Sequence, residues 1–352
     1  MSVSLERARG LRIVGTGIAL PSDLADRPRV AGRISNDELY RALFGARWQA
    51  ELAQRGWTAG GPRERYGIES REWLHLVGTP LHDDALDAGD LATLAARRAL
   101  EDAGATGASV DILVAATSTP PRITSTLAAR VGVAVGCRGA CLDVRAGGAG
   151  GLAAWITAAR MLGGSARRAL VVAAEASSHY LDAGEPGIAA VYGDAAGALV
   201  VDVDPSCEGG LLLARFERRD PTGVPFTVPT PLPPRISATD VRAFRFQHPN
   251  AAYTALVEAT WHDTLSAFAG IDVDVFVPYA VTSAQVERAC ATLGITAERT
   301  VHRLADLGCT GAAGPLVHVH TARHRAEWRR DAVLASAAVA GGVTSVALAW
   351  RS

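Results

Sequence analysis

The chain has 352 residues, 49% of them hydrophobic, which is enough apolar surface for one large core or two medium ones. The formal net charge is −1, so no global field draws the chain to nucleic acid or to a membrane surface. All 35 basic residues are arginine, and the absence of lysine excludes Schiff-base chemistry and the phosphate site of a P-loop.

The cysteines, the N-terminal residues and the apolar runs indicate the cellular compartment in which the protein is expected. The five cysteines are odd in number and form no CxxC motif, which argues against a disulfide framework and favours a reducing environment. The N-terminal residues contain no apolar signal segment, and no apolar run reaches transmembrane length without interruption. We therefore expect a cytoplasmic protein that binds neither membrane nor nucleic acid.

In the first half of the chain, short β-rich runs alternate with alanine-rich runs of helical period. Strands are predicted at 11–20, 110–118, 140–145, 168–176 and 195–204. Helices are predicted at 90–104, 125–136 and 151–165. Residues 31–80 are predicted to be irregular and polar, with partial packing around three tryptophans: Trp48, Trp57 and Trp73.

The second half repeats the same series. Strands are predicted at 209–219, 273–279, 331–339 and 343–351. Helices are predicted at 250–270, 283–294 and 312–328. The repeated order indicates an internal duplication, and the alternation indicates mostly parallel sheets covered by helices. The segment 220–249, with six prolines between positions 221 and 234, is predicted to be a loop and a candidate lid over a pocket.

Several blocks carry a family resemblance. They are VDILVAATSTPP (110–121), RERYGIESREWL (63–74), LDVRAGGAGGLAAW (142–155), YGDAAGA (192–198) and AGGVTSVALAWRS (340–352). Taken in their order along the chain, they resemble β-ketoacyl-acyl-carrier-protein synthase III, one of the thiolase-like condensing enzymes. YGDAAGA resembles the family's F-G-D-G-A-G-A signature, and the last block resembles its glycine-rich C-terminal hairpin.

The resemblance covers nearly the whole chain and implies a fold. That fold is an α/β, thiolase-like, five-layered αβαβα arrangement built from two duplicated halves. The boundaries that follow are 1–205 and 206–352, with an insertion at about 44–62 that has no counterpart in the family pattern.

The resemblance also assigns the catalytic positions, and all three are changed here. Family members use a Cys-His-Asn set, with the cysteine following D-V-x-A-x at the start of a buried helix. That pattern begins at Asp143, which puts Gly148 at the nucleophile position. VPYAVT puts Tyr279 at the histidine position, and GCTGAA puts Cys309 at the asparagine position. The hairpin glycines Gly341 and Gly342 are expected to contact substrate.

These replacements exclude ordinary ketosynthase chemistry from our expectations. Glycine is no nucleophile, and tyrosine, with a pKa near ~10, is a poor base at neutral pH. Cys309 is either a relocated nucleophile with a pKa lowered by a helix N-terminus, or a small buried filler. Tyr279 either donates to a thioester carbonyl or plugs the space of the lost side chains. Gly148 either enlarges the cavity or marks an unused site.

Three functions remain open from the sequence. The slightly favoured one is an acyltransferase of specialised metabolism, taking an acyl group from acyl carrier protein or coenzyme A. The second is a non-catalytic subunit paired with an active ketosynthase homologue, and the third is a non-enzymatic carrier-protein binder. The resemblance implies a homodimer, or a heterodimer with such a homologue. Coenzyme A or phosphopantetheine is expected only as substrate carrier, with no resident cofactor and no metal.

Two side-chain groups on the last predicted helix have alternative interpretations. The first is a histidine group whose last two members share a helix face, as metal ligands can: His318, His320 and His324. The second is a basic group that would suit an acidic carrier protein: Arg323, Arg325, Arg329 and Arg330. An ordinary packed or solvated helix face is the favoured interpretation of both.

Overall fold

The computed structural model describes residues 2–58, 60–219, 245–246, 251–325, 328–340 and 343–352. The candidate lid lies outside the described residues except for positions 245 and 246. Gly341 and Gly342 also lie outside them, so their expected substrate contact stays a prediction. Within the described part, no helix has the length and apolar character needed to cross a bilayer.

The regular elements follow the predicted order closely. The strands are β1 (Ser2–Leu5), β2 (Ala8–Arg9), β3 (Leu11–Ala19), β4 (Gly32–Ser35), β5 (Ser70–Trp73), β6 (Ile112–Ala116), β7 (Ala140–Val144), β8 (Arg168–Glu175), β9 (Ala195–Val203), β10 (Gly210–Arg218), β11 (Val275–Pro278), β12 (Val333–Ala340) and β13 (Thr344–Arg351). The helices are α1 (Asn36–Phe44), α2 (Trp48–Gln54), α3 (Gly61–Tyr66), α4 (Ala88–Asp102), α5 (Leu127–Val135), α6 (Gly150–Met161), α7 (Pro186–Ala189), α8 (Ala251–Ser266), α9 (Ser283–Leu293), α10 (Leu304–Leu307) and α11 (Gly314–Arg323).

Two mixed sheets with the same strand order confirm the predicted duplication. The first sheet runs β3-β9-β8-β6-β7, and the second contains β10-β13-β12-β11 in the corresponding order. In both sheets the central pairs are antiparallel, and the pair after them is parallel: β6 with β8 in the first and β11 with β12 in the second. The N-terminal strands β1 and β2 pair with β10, so residues before β3 join the second sheet.

The sheets and helices stack in five layers, as the thiolase-like fold predicts. Helices α4 and α5 cover the outer face of the first sheet, and α8 packs on the outer face of the second with α9 beside it. Helices α6 and α11 lie between the sheets and contact both of them. This middle layer is apolar almost throughout, and Trp155 of α6 packs against Trp350 of β13 with ring centroids 5.0 Å apart.

The two middle helices meet at a contact that only glycine allows. A Cβ atom on Gly151 of α6 would lie 2.2 Å from the carbonyl oxygen of Ala312, just before α11. Because atoms at that distance overlap, the crossing depends on a residue without a side chain. The close approach brings the N-termini of both helices to one place, where the candidate site lies.

The prediction that residues 31–80 are irregular was wrong. This segment forms α1, α2, α3 and the two-stranded sheet β4-β5, and we call residues 32–73 the cap. Helix α1 begins with a capping box, in which Ser35 accepts from the Glu38 N–H and Glu38 accepts from the Ser35 N–H. Trp48 and Trp73 are buried in the core of the cap, and Trp57 is partly buried against it.

The last predicted helix is shorter than the sequence indicates. Helix α11 ends at Arg323, whose guanidinium donates to the Asp102 carboxylate of α4 and to the Val14 carbonyl of β3. The proline at its start, Pro315, lies in the first turn, where proline is tolerated. The basic group therefore does not lie on one helix, since Arg325, Arg329 and Arg330 follow the helix end.

Candidate active site

Gly148 lies in the turn between β7 and α6, two residues before the helix begins. Gly147 has φ +54°, a left-handed conformation that favours glycine. The turn is closed by hydrogen bonds from Ala149 N–H to the Ala146 carbonyl and from Gly150 N–H to the Gly147 carbonyl. The geometry thus presents position 148 at the N-terminus of a buried helix, where the resemblance expects a nucleophile.

The ring of Tyr279 occupies the space in front of Gly148. A Cβ atom on Gly148 would lie 2.5 Å from both Cζ and Oη of Tyr279. Tyr279 follows β11 directly, is 7% exposed, and its backbone N–H donates to the Ala337 carbonyl of β12. The structure therefore brings the two positions together in van der Waals contact and leaves no space between them.

Cys309 completes the group from the second half of the fold. Its Sγ lies 3.5 Å from the Tyr279 hydroxyl oxygen, to which the thiol donates, and the residue is 2% exposed. Its backbone N–H donates to the Val191 carbonyl, and its carbonyl accepts from the Gly193 N–H. This pairing holds Tyr192 next to Cys309, so all three predicted positions and Tyr192 form one cluster, which we call the tyrosine cluster.

Burial dominates the electrostatics of the tyrosine cluster. It raises the pKa of Cys309, although the Tyr279 hydroxyl and the Gly311 N–H act in the opposite direction. It raises the pKa values of Tyr279 and Tyr192 well above their ordinary value, and neighbouring Cys309 raises both further. A lowered thiol pKa was one interpretation of Cys309, and the direction found is the opposite one.

A buried carboxyl group, Glu175, lies at the end of β8 beside this cluster. It accepts hydrogen bonds from the Ser118 N–H, the Ala312 N–H and the Thr119 hydroxyl. Burial raises its pKa despite these donors. Because Ala312 immediately precedes α11, Glu175 ties the first sheet to the start of the second middle helix.

A second buried carboxyl group, Asp194, belongs to the YGDAAGA block. It accepts from the Leu74 N–H, the Ser178 N–H and the Ser178 hydroxyl. Burial raises its pKa to about 7. These bonds join the end of the cap, the segment after β8 and the start of β9, which is a positioning role away from the cluster.

Sequence reasoning missed Glu175, Asp194 and Tyr192 as members of this region. Asp194 and Tyr192 lie within a block that the resemblance quotes, so a buried aspartate there was a usable signal. Glu175 follows six apolar residues at the end of β8, which also indicates a buried, hydrogen-bonded carboxyl group.

At neutral pH the tyrosine cluster holds protonated, neutral groups in contact with one another. The raised pKa values leave the Cys309 thiol and both tyrosine hydroxyls un-ionised. Such groups can donate hydrogen bonds, but a thiol that is not ionised attacks a thioester poorly. The arrangement is chemically suited to packing and to donating hydrogen bonds.

The histidines of α11 do not converge on one point. The His318 ring is buried, and its Nδ1 lies 3.1 Å from the Pro278 carbonyl oxygen. The rings of His320 and His324 lie against each other, with their centroids 4.6 Å apart. His320 and His324 line a cleft of about 320 Å³ beside Asp102 at the β3 edge. Among the described residues, no three metal-ligating side chains form a cluster.

The basic group is also divided between separate contacts. Arg323 forms an ion pair with Asp102, and Arg329 forms one with Asp274 at 3.0 Å. A continuous basic face for an acidic partner is therefore not formed by these arginines.

Comparison with known sequences identifies relatives across most of the chain. The family profile described as 3-oxoacyl-[acyl-carrier-protein] synthase III matches residues 142–217, and the profile of its C-terminal domain matches residues 266–352. The β-ketoacyl-[acyl-carrier-protein] synthase III of Rhizobium meliloti (strain 1021) is 31% identical over 302 residues, covering 82% of this chain and 89% of that protein. The synthase III of Dinoroseobacter shibae is also 31% identical, with the same coverage.

Comparison with solved structures gives the same result. The 3-oxoacyl-(acyl carrier protein) synthase III of Pseudomonas aeruginosa PAO1 superimposes with a TM-score of 0.75 at 26% identity, covering 97% of this chain and 98% of that one. The priming β-ketosynthase of the R1128 polyketide pathway has a TM-score of 0.77 at 22% identity, covering 99% and 97%. At that identity the second likeness concerns the fold alone.

Proposed function

The chain belongs to the 3-oxoacyl-[acyl-carrier-protein] synthase III family, and from this premise we propose that it is a non-catalytic subunit paired with an active ketosynthase homologue. It shapes that homologue's pocket and forms no acyl-enzyme of its own. The observation that carries the proposal is the Tyr279 ring, which fills the space that a side chain at position 148 needs.

Two further features of the cluster support a packed site over an emptied one. Gly148 does not enlarge a cavity at this point, because Tyr279 takes the volume that the glycine leaves. The Cys309 thiol and the Tyr279 hydroxyl are buried and share a hydrogen bond. Decay of an unused site leaves cavities and unsatisfied groups, which cost stability, whereas these replacements fit one another.

The family also supports a proposal about the pair's substrate. Relatives are named as synthases of 3-oxoacyl-[acyl-carrier-protein], so we propose that the catalytic partner takes acyl thioesters on acyl carrier protein or coenzyme A. The reaction belongs to fatty acid or polyketide biosynthesis, and for this chain we propose a role in specialised metabolism in the cytoplasm. Coenzyme A or phosphopantetheine enters as substrate carrier only.

The first experiment restores the three family residues and tests whether the chain can then form an acyl-enzyme. Wild type, Gly148→Cys and the triple variant Gly148→Cys/Tyr279→His/Cys309→Asn are incubated with acyl-coenzyme A and analysed by intact-protein mass spectrometry. We expect no adduct on wild type, little on the single variant because Tyr279 blocks the new side chain, and an acyl adduct on the triple variant. An acyl adduct on the wild type contradicts the proposal.

The second experiment tests the subunit role directly. The chain is co-expressed with a family member that keeps its cysteine, histidine and asparagine, and the rate of product formation by the pair is measured. Tyr279→Phe and Cys309→Ala in this chain are expected to leave that rate unchanged, since neither group takes part in chemistry. A loss of ten-fold or more with either variant shows instead that the chain is itself an enzyme.

An acyltransferase that uses Cys309 is the second candidate. One observation favours it: the Cys309 thiol contacts the hydroxyl of Tyr279, whose ring lies against Gly148, so the thiol is in the same cluster as the family's nucleophile position. This function predicts an adduct on wild type that Cys309→Ala abolishes in the mass-spectrometric experiment. The two functions therefore give opposite results in one measurement.

A further inference from the structure

Arg71, in strand β5 of the cap, is a fully buried arginine. Its Cβ lies close beneath Gly193 and Gly308, where added Cβ atoms would be 3.4 and 3.5 Å away. From there the side chain extends toward helix α1. Arg71 therefore lies between the cap and the segments that hold Cys309, and its hydrogen bonds affect how these two parts pack against each other.

Among the residues that the structure describes, only one nitrogen of the guanidinium has hydrogen-bond partners. Nη2 donates to Oδ1 of Asn36 at 2.6 Å and to the Ala190 carbonyl at 3.0 Å. Nε and Nη1 are buried, and no described residue forms a hydrogen bond with either of them. A buried polar group without a partner destabilises the folded state, and the effect is larger when the group is charged.

The hydroxyl of Tyr40, on the helix that Arg71 contacts through Asn36, is a second buried group without a hydrogen-bond partner among the described residues. Tyr40 is one turn after Asn36 on α1, so both side chains are on the helix face toward Arg71. Burial raises the pKa of Tyr40, and Arg71 is the charged neighbour that most opposes this rise. The ring itself is fixed by stacking on Phe44 and Trp48.

The charge of Arg71 is uncompensated within the described part of the chain. No carboxylate there forms an ion pair with it, since Glu72 binds the Ser22 N–H and Arg33 instead. Burial lowers the pKa of Arg71 to about 10, which still leaves it protonated at neutral pH. An unpaired buried charge is strongly destabilising, and a neutral water molecule would satisfy the hydrogen bonds without compensating the charge.

From these groups we propose that the cap encloses a site for a small monovalent anion, such as chloride, held by Nε and Nη1 of Arg71 and by the hydroxyl of Tyr40. The three donors come from two elements, β5 and α1, whose positions are fixed by the aromatic core of the cap. The bound anion supplies the missing counter-charge and ties α1 to the segments beside Cys309. This site is separate from the tyrosine cluster and does not depend on the proposed function.

The test measures chloride-specific stabilisation of the full chain. Thermal unfolding midpoints are recorded in sodium chloride and in sodium gluconate at equal ionic strength, for wild type, Tyr40→Phe and Arg71→Met. Chloride is expected to raise the wild-type midpoint by a few degrees over gluconate, because a ligand that binds only the folded state stabilises it. The variants are expected to lose that difference, and general salt effects cancel because the difference is compared between proteins.

A matched control and a direct observation complete the test. Tyr180→Phe removes another partly buried tyrosine hydroxyl of the same aromatic core and is expected to keep the chloride effect. Crystals soaked in sodium bromide are expected to show an anomalous peak within hydrogen-bond distance of Arg71 and Tyr40. Should Arg71→Met fail to fold, Tyr40→Phe still decides. The proposal is overturned if Tyr40→Phe keeps the chloride effect, or if only water occupies the site at high bromide.

Discussion

At the scale of single residues, Gly148 and Tyr279 are a complementary pair. Gly148→Ala is expected to lower the free energy of unfolding by about 1–3 kcal/mol, because the new methyl group overlaps the Tyr279 ring. In a Tyr279→Ala background the same substitution is expected to change the free energy of unfolding only slightly. Urea unfolding of the two single variants and the double variant gives the coupling between the positions.

A glycine with ordinary surroundings provides the control for this cycle. A Cβ atom on Gly61 would lie 3.6 Å from the Trp57 ring, which is normal contact, so Gly61→Ala is expected to be nearly neutral. If Gly148→Ala lowers the free energy of unfolding equally with and without the tyrosine ring, the contact between Gly148 and Tyr279 does not determine its effect.

Asp194 gives a prediction for pH. Its pKa is raised from the ordinary value of 3.8 to about 7 in the folded state, chiefly by burial. The fold therefore favours the protonated form, so this group's contribution to stability is full below pH 3.8 and is lost as the pH rises through about 7. The slope from one such group is at most about 1.4 kcal/mol per pH unit.

The measurement compares wild type with Asp194→Asn. Free energies of unfolding are determined by urea at about pH 5 and about pH 7, both within the interval over which this contribution to stability is lost. Wild type is expected to lose stability relative to the variant over this interval, because the asparagine does not ionise. Parallel pH profiles for the two proteins count against a raised pKa at Asp194.

At the scale of elements, the crossing of α6 and α11 is the most tightly constrained contact. Gly151→Ala is expected to destabilise the protein by about 3 kcal/mol or more, because the overlapping atom is the Ala312 carbonyl oxygen and not a side chain that can turn. Adding Tyr279→Ala is not expected to reduce the loss in free energy of unfolding caused by Gly151→Ala, although it is expected to reduce the loss caused by Gly148→Ala. Urea unfolding of the variants checks both statements.

The elements also show what a single sequence can predict. Strands such as β8 and helices such as α6 were predicted within a few residues, because apolar runs and helical period are local signals. The cap was not, because α1, α2 and α3 are short and their polar residues resemble those of a loop. Its one clear local signal was the capping box of Ser35 and Glu38.

For the site, sequence placed the three family positions, but contacts decided how they are arranged. The resemblance identified Gly148, Tyr279 and Cys309 from blocks far apart in the chain, and the fold brings them into contact. That the tyrosine ring covers the glycine depends on a distance between two halves of the fold, which no spacing along the chain reports. The raised pKa of the Cys309 thiol likewise follows from its burial in the folded chain.

At the scale of the whole molecule, the first sheet ends in an edge strand, β7, that pairs only with β6 within the described chain. An edge strand presents unpaired backbone groups, and the neighbouring helix α5 exposes Val133 at 85%. We expect a second chain, either another copy or the catalytic homologue, to cover this edge. Light scattering after size-exclusion chromatography is expected to give the mass of a dimer, for the chain alone if a second copy covers the edge and for the co-expressed pair if the homologue does.

A variant at that edge checks the location of the interface. Val133→Glu puts a charge on the exposed face of α5 and is expected to shift the assembly toward monomer without lowering the unfolding midpoint. Val3→Glu, at a valine of β1 that is also exposed, serves as the matched control and is expected to keep the dimer mass. A wild type that is monomeric both alone and when co-expressed with the homologue, or a Val133→Glu variant that stays dimeric, argues against this interface.

The Tyr279 ring above Gly148 also bears on how this lineage can change. While the tyrosine is present, a single codon change from glycine to cysteine yields a destabilised protein and no usable nucleophile, because the new side chain has no room. While the glycine is present, reversion of the tyrosine to histidine opens a hole beside a position that cannot react. Each replacement thus makes reversal of the other unfavourable, and the path back to an acyl-enzyme requires two simultaneous substitutions, as in an evolutionary ratchet.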